Sequence, residues 1–284
     1  MQGHLPSRRE DAAGLRHLSA HAAGPHGAAS HSRPAIRIGI GGWTYAPWRD
    51  NFYPADLAHS KELHYASRRL SAIEVNGTYY SSFQPATFAK WYAETPDGFM
   101  FSLKASRFAT NRRVLAQAGD SIRRFVGSGI AELKDKLGPI VWQFMPIKAF
   151  DAEDFEAFLA LLPREVDGRA LRHALDVRHE SFATPEFLAL ARQYGCVPVC
   201  TDSEKFPAIA DPEAPFAYLR LMRSQSAVPT GYPAEAIARW AEGVRAWTSG
   251  PRPRNVFVYF INGAKERAPA GAMALMAELG VNSQ

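Results

Sequence analysis

The chain has 284 residues, of which 46% are hydrophobic and 21% charged, and a formal net charge of +5. That balance excludes a wholly disordered chain, and no apolar run approaches the ~20 residues of a membrane helix. Two cysteines cannot staple a domain of this size, so a reducing, cytoplasmic setting is expected, and the mild basic excess admits anionic ligands.

Residues 1–34 stand apart. They hold five of the nine histidines (His4, His17, His21, His26, His31) and almost no branched apolar side chains. Such a segment has little with which to offset the entropy of ordering, so it reads as a disordered tail preceding a domain over 35–284. Its arginines resemble those of a transit peptide, but it lacks the apolar stretch of a secretion signal. Its histidines are too irregularly spaced to define a metal site.

From residue 35 onward, short β-rich apolar runs recur at Ile36–Ile40, Ala72–Asn76, Phe99–Lys104 and Ile140–Phe144. Further runs follow at Ala174–Arg178, Val197–Thr201, Ala217–Leu221 and Val256–Phe260. Helical signatures separate most of them. Pro85–Trp91 starts on a proline suited to a first turn. Asp151 opens an acidic first turn ahead of a Phe155, Phe158, Leu159 and Leu162 stripe. Thr184-Pro-Glu-Phe begins a helix that ends near Gly195, and Pro233–Trp247 repeats the pattern. Eight strands alternating with helices over ~250 residues predict an α/β fold, a (β/α)8 TIM-barrel-like single domain. A doubly wound open sheet is the alternative, but the first strand is not followed by Gly-x-Gly-x-x-Gly, nor is there a Walker-type loop.

Alternation assigns the inward side chains. Glu74 and Asn76 point inward from strand two, Lys104 from strand three and Gln143 from strand four. Strand five contributes Asp176 and Arg178, and strand seven contributes Tyr218 and Arg220. The polar members gather toward the C-terminal ends, where barrel enzymes place their chemistry. Three cations against two carboxylates leave a formal +1, so either these groups pair with one another and plug the mouth or a ligand completes the set. In the ligand reading, Glu74 and Asp176 are the general base and a second carboxylate. Lys104, Arg178 and Arg220 clamp an anion, and Asn76 and Gln143 orient hydroxyls. Trp43 and Tyr79, nearest the strand ends in two aromatic loops, wall the site. Phe52, Tyr53 and Phe83 read instead as a hydrophobic cluster internal to those loops.

The stretch from Lys104 to Arg124 carries six cations against Asp120, which suits a solvated helix face or phosphate contacts. A second basic group (Arg220, Arg223, Lys265, Arg267) follows strands seven and eight, beside an Asn262-Gly263 turn, where barrels often hold phosphate. The domain's four histidines have no metal-ligand spacing, which disfavours a zinc or di-metal site. Magnesium at Glu74 and Asp176 is the remaining metal reading, and no cofactor is specified. His179 reads as a satisfied histidine, and Cys196 and Cys200, four apart on one strand, as packing residues too far apart for a disulfide.

Two segments, Ile38-Gly-Ile-Gly-Gly-Trp-Thr-Tyr-Ala-Pro-Trp-Arg and Ile73-Glu-Val-Asn-Gly-Thr-Tyr-Tyr, resemble the YecE-like family. Trp91 through Lys104, Leu137 through Pro146 and Asp176-Val-Arg-His-Glu-Ser-Phe extend the resemblance over about residues 36–280. It implies a TIM-barrel domain of unknown function whose recurrent polar positions are those reached above by alternation. The chain departs from the family pattern at Met145, at Asp176 in place of a glutamate, at Met222-Arg223 in place of His-Gly, and at Ile261. These departures imply a subgroup with its own ligand. The expected function is an enzyme of hydrolase or isomerase type acting on a small anionic polyhydroxy ligand. The alternative is a nucleic-acid-binding barrel, of phosphodiesterase or repair type, in which Arg107 to Arg124 grip the backbone.

Overall fold

The computed structural model describes residues 33–282. The disordered reading of the tail concerns residues that fall, up to position 32, outside that range. From Pro34 onward the chain folds as one unit. Its barrel strands are β1 (Ile36–Gly41), β2 (Ala72–Val75), β3 (Met100–Lys104) and β4 (Leu137–Gln143). They continue as β5 (His173–Asp176), β6 (Cys196–Asp202), β7 (Phe216–Leu221) and β8 (Asn255–Phe260). All neighbouring pairs are parallel, and β1 pairs with both β2 and β8, so the sheet closes. Closure removes the open-sheet alternative and leaves the barrel sheet without an open edge.

All eight expected strands are present, with ends shifted by one to three residues. Two of those shifts bear on the site. β2 stops at Val75 and β5 at Asp176, so Asn76, which precedes the one-turn helix Gly77–Tyr80, and Arg178 lie just past the strand ends rather than inside strands. Besides two single-turn helices (Gly77–Tyr80 and Arg107–Thr110), the helices are α1 (Glu62–Ala66), α2 (Pro85–Glu94), α3 (Gly119–Val126) and α4 (Ala152–Ala160). α5 (Pro185–Gln193), α6 (Ala234–Ser249) and α7 (Ala268–Leu279) complete the outer ring. The β6–β7 connection holds no α-helix, and a small antiparallel ribbon (Glu165–Val166 with Arg169–Ala170) precedes β5. No helix among the described residues is long and apolar enough to cross a membrane.

Local chemistry starts and stops these helices. Asp151 caps α4 by accepting from the Asp154 N–H at 3.0 Å, and Thr184 caps α5 by accepting from the Phe187 N–H at 3.3 Å. Gly195 follows α5 at φ +67°, a left-handed conformation in which a Cβ is strained. Period-two burial then divides the core into two layers. Ile38, Ile73, Leu103, Trp142 and Leu175 face the helices, while Ala72, Val141, Ala174, Val197 and Tyr218 fill the barrel. β1 contributes little interior volume because β2 crowds it: a Cβ built on Gly39 would lie 1.8 Å from the Ala72 carbonyl oxygen. Other polar groups in the core are satisfied locally. His173 accepts from Trp142 Nε1–H at 3.0 Å and faces the Pro163 carbonyl oxygen at 2.7 Å, and burial lowers its pKa.

Candidate functional site

Above the apolar floor of the barrel, the interior becomes polar in ascending steps. The Ser102 and Tyr259 hydroxyls share a hydrogen bond of 2.7 Å, and the Tyr218 ring lies 5.2 Å from that of Tyr259. One layer higher, on β7, Arg220 spans the barrel. Its Nε donates to Glu74 Oε2 at 3.2 Å, its Nη2 to Glu74 Oε1 at 2.9 Å and its Nη1 to Asp176 Oδ2 at 2.6 Å. The Tyr218 hydroxyl donates to Glu74 Oε2 at 2.7 Å. Glu74 and Asp176 are wholly buried and Arg220 is 1% exposed. Burial pulls the Arg220 pKa down, but the Glu74 and Asp176 charges outweigh it and raise it above the usual arginine value. Burial, reinforced by Glu74, pushes the Tyr218 phenol well up, so its proton stays on the phenol oxygen.

The next layer reaches the mouth. Arg178 Nη2 donates to Asp176 Oδ2 at 3.1 Å and to Gln143 Oε1 at 3.0 Å, and Gln143 Oε1 also accepts from Arg220 Nη1 at 3.2 Å. Asp176 Oδ1 and Arg178 Nε are sealed from solvent without a hydrogen-bond partner among the described residues. Lys104, at the end of β3, has its Nζ 4.3 Å over the Tyr79 ring. Burial first, and then the Arg220 charge, lower its pKa to about 8.

Six of the nine residues singled out in the sequence therefore meet in one network or at its edge: Glu74, Lys104, Gln143, Asp176, Arg178 and Arg220. Tyr79 joins them through Lys104. The other two stand aside. Asn76 touches the β1 turn, its Nδ2 lying 2.9 Å from where a Gly41 Cβ would be. Trp43 packs edge-on against Trp91 at 5.1 Å, within the layer between barrel and helices. Both line a cavity of about 340 Å³ beside Gly42 and Lys265. A larger cavity of about 550 Å³ opens under the loops after β6, β7 and β8, with Arg178, Phe206, Met222 and Ser224 in its wall.

Phe206, whose ring lies 4.5 Å from the Arg178 guanidinium carbon, escaped the sequence reading because the β6–β7 loop has no periodic pattern. Tyr218 was legible as inward-facing, but its bond to Glu74 joins residues 144 apart. The magnesium reading of Glu74 and Asp176 meets an obstacle, since the Arg220 guanidinium sits between the two carboxylates. No group of three or more His, Cys, Asp or Glu is placed to hold a metal among the described residues.

The remaining sequence candidates have local roles. His179 caps the turn after β5 through Ser181, and Cys196 and Cys200 are free thiols on β6. Phe52 and Tyr53 pack with Trp48 in the β1–α1 loop and with Tyr65 on α1, while Phe83 packs against Phe88 and Trp91. In the basic stretch, Arg112 donates to the Phe108 carbonyl and to Ser121 Oγ, and Arg123 pairs with Asp120. Arg223 pairs with Glu204 at 3.2 Å and Arg267 donates to the Ser226 carbonyl.

The barrel can be set beside proteins of known sequence and structure. UPF0759 protein YunF of Bacillus subtilis is 28% identical over 159 residues, which make up 54% of each chain, so the match spans about half the length of that relative. A DUF72 family protein from Thermotoga maritima superposes with a TM-score of 0.69 at 21% identity, covering 87% of this chain and 99% of its own. One from Enterococcus faecalis superposes at 0.66 and 19% identity, covering 88% and 99%. These likenesses establish the fold. The model of the family described as "Protein of unknown function DUF72" matches residues 37–284, and the chain belongs to that family.

Proposed function

We propose that the C-terminal mouth of the barrel is an enzyme site, of hydrolase or isomerase type, for a small anionic polyhydroxy ligand. The supporting observation is a charge surplus that the protein does not discharge itself. Glu74 and Asp176 are both engaged by Arg220, which leaves Lys104 Nζ without a hydrogen-bond or ion-pair partner among the described residues and Arg178 Nε without a hydrogen bond. An anionic group beside Lys104 and Arg178 would neutralise that surplus, where a plug made only of mutual ion pairs would leave it uncompensated. Gln143, whose Oε1 is already taken by two guanidinium groups, would offer its amide N–H groups to hydroxyls.

The carboxylates then divide their work. Glu74, with both oxygens occupied, anchors Arg220. Asp176 keeps Oδ1 without a donor and is the better placed of the two to take a proton. A thermal-shift screen of phosphorylated and carboxylated polyols tests the reading. Saturable stabilisation is expected, lost in Arg178→Met and weaker at pH 9 than at pH 7, because Lys104 loses its charge above about 8. Stabilisation that persists unchanged in Arg178→Met places the ligand elsewhere.

One observation favours nucleic acid as a second reading. The Arg107 guanidinium lies 5.8 Å from the Tyr80 ring and 5.4 Å from that of Phe108, both more than half exposed on the rim. Exposed rings with an arginine can stack on bases. Oligonucleotide anisotropy at two salt concentrations, repeated with Arg107→Glu, tests it.

A further inference from the structure

We propose that Lys104 is an imine-forming amine, so that the ligand of the mouth is a carbonyl compound carrying an anionic group; this rests on the mouth being a ligand site. The environment of Nζ argues for it. The residue is 7% exposed, yet no carboxylate, carbonyl or hydroxyl among the described residues accepts from Nζ, and the atom is not sealed from solvent. Lys136 shows what a buried lysine does when its role is structural. Its Nζ donates to the Tyr92 and Thr95 carbonyl oxygens, each at 2.7 Å.

Lys104 instead stands over the Tyr79 ring, among cations, at the strand end where barrel chemistry is placed. The nearest carboxylates are held by Arg220, so no ion pair ties up the amine. Arg178 supplies the anion contact that would bring a charged carbonyl compound in. With a pKa of about 8, roughly a tenth of the lysine is neutral at pH 7, against less than a thousandth for an ordinary one.

The step balances without a further reactant. The Nζ lone pair attacks the carbonyl carbon, and the C–O π pair moves to oxygen, which takes a proton released from nitrogen. The carbinolamine hydroxyl takes up a second proton and leaves as water while the nitrogen lone pair closes the C=N bond. The iminium so formed gives its remaining N–H proton back, so that both amine hydrogens end in the water. Amine and carbonyl give imine and water, with no oxidation.

The test uses the full chain, glyceraldehyde 3-phosphate as probe, glyceraldehyde as neutral control, cyanoborohydride and peptide mass mapping. At pH 7 the phosphorylated probe is expected to mark Lys104 at least tenfold more than any other lysine. Lys265 is the internal comparison, since burial also lowers its pKa and it lies 4.6 Å from the Tyr45 ring. Lys104→Arg, checked for folding by its melting curve, should lose the mark. Labelling spread evenly over lysines, or centred on Lys265, overturns the inference.

A parallel melting series with the same probe separates the two ideas. Stabilisation abolished by Arg178→Met, without a mark on Lys104, leaves the mouth a ligand site and removes the imine. A mark on Lys104 with no preference for the phosphorylated probe supports the amine chemistry and removes the anion site.

Discussion

Arg220 Nη1 lies 2.6 Å from Asp176 Oδ2, a contact that reaches from β7 past β6 to β5 inside the barrel. The same guanidinium grips Glu74 on β2, so one side chain ties three strands through their inward faces. Its cost in desolvation is recovered only while both carboxylates remain in place.

Arg220→Ala leaves Glu74 buried without a cation and Asp176 with Arg178 alone. We expect a loss of about 3–5 kcal/mol in urea denaturation, the range for breaking a buried ion pair. A loss under about 1 kcal/mol would show that water or Lys104 replaces the guanidinium.

Tyr218→Phe removes the phenol that donates to Glu74 Oε2 and leaves that oxygen only the longer Arg220 Nε bond of 3.2 Å. The expected cost is about 1–3 kcal/mol, since a buried carboxylate loses a donor that water cannot readily replace. Equal stability of the variant and the parent would refute the inferred hydrogen bond.

Lys104 makes stability depend on pH in a direction that can be worked out. Its pKa is about 8 in the folded chain and ~10.4 in an unfolded one. Between those values the unfolded chain holds more protons, so folding gains stability as pH rises. Compared with Lys104→Met, the parent should gain on the order of 3 kcal/mol between pH 7.5 and 10.5. A difference that stays flat or falls across that window contradicts the assignment.

Two glycines should respond oppositely to alanine. At Gly39 the new Cβ would stand 1.8 Å from the Ala72 carbonyl oxygen, backbone that cannot yield without moving β1 off β2. A loss of at least ~3 kcal/mol, or no folded protein, is expected. Gly243 on α6 has only the Trp247 ring nearby, at 3.9 Å, and alanine there should stabilise by about 0.5–1 kcal/mol through helix propensity. Melting temperatures shifted the same way in both variants would argue against this packing of β1.

The amino-acid sequence by itself determined the barrel, its strand order of burial and the inward polar set. Residue alternation and helix capping are local properties: Ile73 and Val75 had to face one way and Glu74 the other, and Asp151 and Thr184 mark their helix starts wherever the helices lie. Tertiary structure alone decided who is bonded to whom. That Arg220 consumes Glu74 and one oxygen of Asp176, while Lys104 is left facing a ring, depends on the distance across a closed sheet. Trp43, placed by the sequence at the mouth because it follows β1, packs edge-on against Trp91 while lining the cavity beside Gly42 and Lys265. Phe206 reaches Arg178 only because the helix-free β6–β7 loop folds back over the rim. Charge count and alternation are readable along a chain, but the pairing of charges is set by closure, which joins Arg220 to Glu74 across 146 positions.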